Sequence, residues 1–266
     1  VFNTPGANAN AVKELVLAAL LSVGMILSLT ACGGGSDKET VSYKVGTEPT
    51  FPPFDTTDED QNIVGLDMDL IKAIGKDQGF EVTFENLSFD GLIPALKAGN
   101  INIVAAGMNK DDKERQKQVD FSDAYYESQL YVVVAEDNND IKSIDDLTPD
   151  MKVAAQTGTT GAEKVKTLKK EGKIKEAVIV DGLDTAMMQL INGDVSAVIN
   201  DKPVNEAYMK KKPDKVKMVG KALNAENYGF AVAKGNDELL EKINKGLANI
   251  KEDGTYDKLV DEWFNK

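Results

Sequence analysis

The sequence predicts an α/β fold built as two lobes, and three observations carry that prediction. Short β-type runs alternate with segments of helical periodicity from about Val41 onward, which argues for sheets that are largely parallel and flanked by helices. The pattern of βαβ units then occurs a second time, so two α/β lobes fit better than one large sheet. The chain has 266 residues, with 42% hydrophobic and 28% charged, enough for two ordinary globular units.

In chain order, Val41–Gly46 reads as a strand. A helix follows from Asp67 to Gln78, with Met68, Leu70, Ile71 and Ile74 at helical spacing and Gly79 as its stop. Glu81–Asn86 is strand-like, Phe89–Ala98 helical with Leu92, Ile93 and Leu96 on one face, and Ile101–Ala105 an apolar strand. The second set opens with a strand at Leu130–Ala135 and a short connector at Ile141–Leu147. It continues with strand Lys152–Gln156, helix Ala162–Glu171, strand Ala177–Val180, a helix over about Thr185–Ile191 and strand Val195–Ile199. Strands at Val216–Val219 and Tyr228–Ala233, a helix over about Asp237–Lys251 and a closing segment Tyr256–Phe264 complete the chain. No short-period repeat is visible.

Composition removes several function classes. A net charge of −13 argues against nucleic acid, whose phosphates need a basic surface, and against docking on anionic lipid through a basic patch. There is no His, so the commonest general base and metal ligand are absent. The single Cys rules out an intramolecular disulfide and a Cys/His zinc site. No metal and no cofactor are expected.

The first forty residues read as targeting sequence. Leu15–Leu29 is a charge-free apolar run preceded by Lys13, of signal-peptide length and short for a membrane span of about 20 residues. The Val1 start suggests an alternative start codon or a start set too far upstream. The run ends Leu29-Thr30-Ala31-Cys32, followed by Gly33-Gly34-Gly35-Ser36. This resembles a bacterial lipobox, which implies cleavage after residue 31, lipidation of Cys32 and a flexible tether over 32–40. The lone Cys of the chain falls at that position. The competing reading is a membrane anchor that ends in an incidental Cys.

The mature chain carries a second resemblance. Gly46-Thr47-Glu48-Pro49-Thr50-Phe51-Pro52-Pro53-Phe54 and Gly65-Leu66-Asp67-Met68-Asp69-Leu70 look like the opening of bacterial polar-amino-acid-binding proteins of ABC importers. Phe89-Asp90-Gly91-Leu92-Ile93-Pro94-Ala95-Leu96, Val119-Asp120-Phe121-Ser122-Asp123, Gln156-Thr157-Gly158-Thr159-Thr160-Gly161, Asn200-Asp201-Lys202-Pro203 and the terminal Gly254-Thr255-Tyr256-Asp257 and Trp263-Phe264 continue it in the same order. The resemblance implies the extracellular solute-binding protein family 3 and its periplasmic-binding-protein type II (Venus-flytrap) fold. Lobe 1 would be 41–127 and 227–266, lobe 2 would be 128–226, and two crossover strands would join them. It also implies a monomeric, lipid-anchored protein on the extracytoplasmic face, a polar L-amino acid as ligand, with Glu48 leaning toward a cationic one, and an ABC permease as partner.

Site residues follow from that ligand class. A buried zwitterion needs a partner for each charge. Arg115, the only Arg in the chain, has the planar fork that bonds both carboxylate oxygens, and it stands where the family's carboxylate-binding Arg does. A solvated charge is the alternative, and the loop Asn109–Glu114 is one residue longer than the family's usual spacing. Thr157, Thr159 and Thr160 lie at a strand-to-helix turn whose N–H groups suit an anion; a plain N-cap turn accommodates the same residues. Asp201, after an apolar strand, sits where sheets of this kind bind ligands and resembles the family's ammonium-binding Asp. The resemblance gives Ala106 a carbonyl for the ammonium, Asn109 a carboxylate contact, and Gly107 a place between them. Phe51 and Phe89 would sandwich the ligand's stem or pack as ordinary core. Glu48 would favour a cationic distal group. Asp67 and Asp69 read as structural or capping residues.

Two other functions fit the same fold. A cyclohexadienyl-dehydratase-like enzyme would need a general acid in the cleft, for which Glu48 is the candidate. A ligand-sensing lipoprotein would need a separate signalling partner.

Overall fold

The computed structural model describes residues 40–265. The expected signal peptide, Cys32 and all of the expected tether except Thr40 lie outside them. The chain runs through β1 (Val41–Thr47), the small hairpin β2 (Thr56–Thr57) and β3 (Ile63–Val64), then α1 (Leu66–Gln78), β4 (Phe80–Asn86), α2 (Phe89–Lys97) and β5 (Ile103–Val104). The single-turn α3 (Lys113–Gln116), β6 (Val119–Phe121) and β7 (Tyr126–Ser128) lead to β8 (Leu130–Ala135). Next come β9 (Lys152–Gln156), α4 (Thr160–Lys170), β10 (Glu176–Val180), α5 (Leu183–Asn192), β11 (Ala197–Asp201), α6 (Lys202–Lys211) and β12 (Val216–Val219). The chain closes with β13 (Glu226–Tyr228), β14 (Ala231–Ala233), α7 (Asp237–Glu252) and α8 (Thr255–Phe264).

Two five-stranded sheets form the two lobes, in the orders β4-β1-β5-β14-β6 and β10-β9-β11-β8-β12. Each is mixed in the same way. Strands β4, β1 and β5 are parallel, β14 is antiparallel to β5, and β6 is antiparallel to β14. In the other sheet β10, β9 and β11 are parallel, and β8 is antiparallel to both β11 and β12. Four strands of each sheet therefore share a direction and one is reversed. The reversed strand is the one entered directly after the two-stranded ribbon β7–β13, so the chain comes into each sheet from the end at which the parallel strands leave it.

Helical periodicity explains the elements that the sequence announces. α1 buries Leu66, Met68, Leu70, Ile71 and Ile74 and ends at Gly79. It packs on α7 and α8, and α7 turns Leu239, Ile243, Leu247 and Ile250 inward. The structure departs from the sequence reading in several places, and the short strands β2, β3, β6 and β7 are additional to it. β5 is two residues long where a five-residue strand is expected. β11 starts two residues late and includes Asp201. The expected strand Tyr228–Ala233 breaks at Gly229-Phe230, because β13 belongs to the ribbon and β14 to a five-stranded sheet. α3 and α6 were not anticipated: α6 buries only Pro203, Val204 and Asn205, too few to print a periodic stripe. Among the described residues no helix is long and apolar enough to cross a membrane.

The parallel strands aim their C-terminal ends at the same region. Glu48 follows β1, Ala106 to Asn109 follow β5, Gln156 ends β9 and Asp201 ends β11. This is where open α/β sheets bind ligands.

Candidate functional site

Arg115 is placed by a capped turn. Asp112 Oδ1 accepts the backbone N–H of Glu114 and of Arg115, each at 2.9 Å, which fixes the start of α3. The Arg115 side chain is buried. Its Nη1 donates to Asn109 O at 3.2 Å, and its Nη2 donates to Gly158 O at 2.9 Å. One carbonyl follows β5 and the other follows β9, so the guanidinium bridges the two lobes. Its carbon lies 5.4 Å from the centroid of the Phe89 ring, a cation–π arrangement. Burial lowers the Arg115 pKa, opposed by Asp112, Glu226, Asp201 and Glu163. An arginine keeps its charge under such a shift.

Three buried carboxylates face this cation across the same cavity. Asp201 Oδ1 accepts from Ser128 Oγ at 2.9 Å and from the Tyr228 hydroxyl. Burial, then the charge of Glu226, pushes Asp201 up to about 8. Glu226 is 2% exposed, and its Oε1 accepts from Asn224 Nδ2 at 2.8 Å. Glu48 accepts from Thr50 Oγ1 at 2.7 and 2.9 Å and from Gln156 Nε2 at 2.8 Å. The Gln156 amide also donates to Asp181 O at 3.0 Å. Burial raises the Glu48 pKa, while the bonds from Gln156 and Thr50 pull it back. The Gln156–Glu48 bond is a second bridge between lobes.

The floor of the cavity is braced from beneath. Asp67 Oδ2 accepts the Gly107 N–H at 2.8 Å and the Tyr125 hydroxyl at 2.7 Å. Asp55 Oδ2 accepts Thr47 Oγ1 at 2.7 Å. Both carboxylates are fully buried, burial pushes Asp67 up to about 7, and burial plus the Asp67 charge raises Asp55 well above the usual range. Gly107 has φ 52°, and a Cβ there would stand 2.9 Å from Phe51 Cε1. Only glycine allows both that backbone and that aromatic contact.

Glu48, Phe51, Phe89, Ala106, Gly107, Asn109, Arg115, Thr159, Thr160 and Asp201, all expected from sequence, line one cavity together with Gln156 and Glu226. The family model for bacterial extracellular solute-binding proteins, family 3, matches residues 43–266.

The chain belongs to that family.

The ABC transporter arginine-binding protein 1 of Escherichia coli (strain K12) is 36% identical over 95% of this chain and 99% of its own length. The solved structure of an ancestral arginine-binding protein bound to arginine shares 47% identity with a TM-score of 0.80, covering 84% of this chain and 98% of that one. An ancestral amino-acid-binding protein, described as a precursor of cyclohexadienyl dehydratase, shares 38% identity with a TM-score of 0.77 over 84% of this chain and 95% of its own. Membership of an extracellular solute-binding family makes the protein extracytoplasmic.

Within this family member one expected residue lies apart. Thr157 is not part of the cavity wall; its N–H donates to Val180 O at 2.7 Å, so the chain there is still finishing the β9–β10 edge. Asp67 and Asp69 are structural, though not as caps: Asp67 holds the floor, and Asp69 Oδ2 accepts Trp263 Nε1 at 2.9 Å. Phe89 lies under Arg115, a contact additional to the expected stacking role. Sequence reasoning missed Gln156 and Glu226. Gln156 ends β9 as Asp201 ends β11, so the strand-end logic that found one could have found the other. Glu226 lies in the crossover ribbon, where no periodicity marks an inward side chain.

Proposed function

We propose that this protein captures a cationic L-amino acid between its lobes and delivers it to the membrane permease of an ABC importer. The observation that carries the reading is the charge of the cavity wall: Glu48, Asp201 and Glu226 against Arg115. An α-amino acid with a cationic side chain brings one carboxylate and two cations, which complements that wall better than a neutral zwitterion does. Arg115 uses two of its five N–H donors within the protein, leaving the others for the ligand carboxylate. Asp201 and Glu48 take the α-ammonium and the distal cation, and Thr160 and Asn109 add carboxylate contacts. The lobes, with boundaries at 127/128 and 226/227, close around the ligand and are held by the contacts it makes to both. The protein works as a monomer, held at the outer membrane face by a lipid on Cys32.

A thermal-shift panel of the twenty amino acids, run after unfolding and refolding to strip carried-over ligand, tests the reading. A ligand at 100 times its Kd adds about 2.7 kcal/mol. L-arginine, L-lysine or L-histidine should give the largest shifts; a shift confined to acidic or apolar amino acids contradicts the proposal. The buried Glu48 also fits a general acid, so prephenate and arogenate are incubated with the protein, and turnover of either would replace transport with catalysis.

A further inference from the structure

The cavity holds more acid than one α-ammonium needs. Asp201 and Glu226 are both buried on the same wall, 5% and 2% exposed. They come from different elements, Asp201 from the end of β11 and Glu226 from the first position of the ribbon strand β13. The groups around them are few. On the Asp201 side stand the Tyr228 hydroxyl of β13, Ser128 of β7 and the Arg115 guanidinium of α3. On the Glu226 side stands the neutral amide of Asn224. Lys202, next in sequence to Asp201, has its ammonium 3.7 Å from Glu206 on the outside of α6. Among the described residues one cation, Arg115, thus faces both carboxylates, and it is already bonded to two carbonyls.

We propose that Glu226 is a second ammonium-binding carboxylate, and that, together with the burial of Asp201, it keeps a proton on Asp201 in the ligand-free protein which is released when the ligand's α-ammonium enters. Two close carboxylates in a dry site cannot both ionise without a compensating cation. The α-ammonium is that cation: on binding, the Asp201 O–H gives its proton to solvent, and the carboxylate formed bonds the ammonium. Burial and Glu226 together push Asp201 up to about 8, which places the exchange in the neutral range. The sign follows. Below about pH 8 ligand uptake releases close to one proton from this pair, and affinity falls as pH drops toward 6, approaching tenfold per unit. Above about pH 8 the release fades.

The inference rests on the amino-acid-binding reading, and the test separates the two. Calorimetry at pH 7 is run in phosphate, imidazole and Tris buffers, which differ in ionisation enthalpy, with L-arginine, L-histidine and L-glutamine as probes. For each probe that binds, observed enthalpy should vary with buffer enthalpy with a slope near one proton released. Glu226→Gln should bind more weakly and release clearly fewer protons, and Glu226→Asp should restore much of the release. Binding with no dependence on buffer, or a Glu226→Gln variant with the wild-type affinity and slope, overturns this inference and leaves amino-acid capture standing. Absence of heat and of thermal shift with every probe overturns both.

Discussion

Arg115 stands between two backbone carbonyls from opposite lobes and over an aromatic ring, and its worth lies in that geometry as much as in its charge. With the ligand carboxylate on Arg115 as proposed, Arg115→Ala should leave that carboxylate buried without its partner and cost about 2–5 kcal/mol in binding. Arg115→Lys should recover little of this, because a single ammonium cannot reach Asn109 O, Gly158 O and a carboxylate together. Calorimetric affinities of the two variants check this, and a Lys variant with wild-type affinity would contradict it. Arg115 was legible in the sequence because a chain rich in Lys uses Arg once. Its bond to Gly158 O was not, since nothing in the spacing of residues 115 and 158 says that two lobes meet there. Glu226 shows the opposite limit. A buried acid in a three-residue crossover strand looks the same in sequence as the many exposed acids of this chain.

At the scale of the element, the N-terminus of α4 divides two neighbouring threonines by role. Thr159 Oγ1 accepts the Ala162 N–H at 3.0 Å and donates to Gln156 O at 2.7 Å, so its hydroxyl caps the helix. Among the described residues no hydrogen bond engages the Thr160 hydroxyl. Thr159→Ala should therefore lower stability by about 1 kcal/mol, read by urea denaturation, whereas Thr160→Ala should lower ligand affinity with little change in stability. A reversed pattern would contradict the assignment. The strand-to-helix turn was readable from Gly158-Thr159-Thr160, because strand end, glycine and hydroxyls coincide there. Which threonine caps depends on one residue of register, and helix periodicity resolves boundaries less finely than that. α6 escaped for a different reason: its burial is confined to its first turn.

At the scale of the whole molecule, buried carboxylates tie stability to pH. Asp67 has an ordinary value near 3.8 when exposed and about 7 in the folded protein, raised by burial. Between those values the folded state holds a proton that the unfolded state has lost. Stability therefore falls as pH rises from about 4 through about 7 and levels off above. Asp55 and ligand-free Asp201 act in the same direction. Asp67→Asn keeps an oxygen for Gly107 and Tyr125 and removes one titration, so its melting temperature should decline less across that range; an identical decline would contradict the role given to Asp67. The two-lobed plan was legible because the βαβ pattern repeats. The reversed strand in each sheet was not, since strand direction is set by where the ribbon β7–β13 delivers the chain and not by the pattern within any strand. The charge balance of the site is likewise a property of the assembled molecule, and calorimetric comparison of L-arginine with L-citrulline, nearly the same shape without the side-chain charge, tests it most directly. L-arginine should bind, and L-citrulline should bind at least about tenfold more weakly, the loss of one hydrogen-bonded charge at Glu48. Equal affinities, or tighter binding of L-citrulline, would contradict the capture of a cationic amino acid.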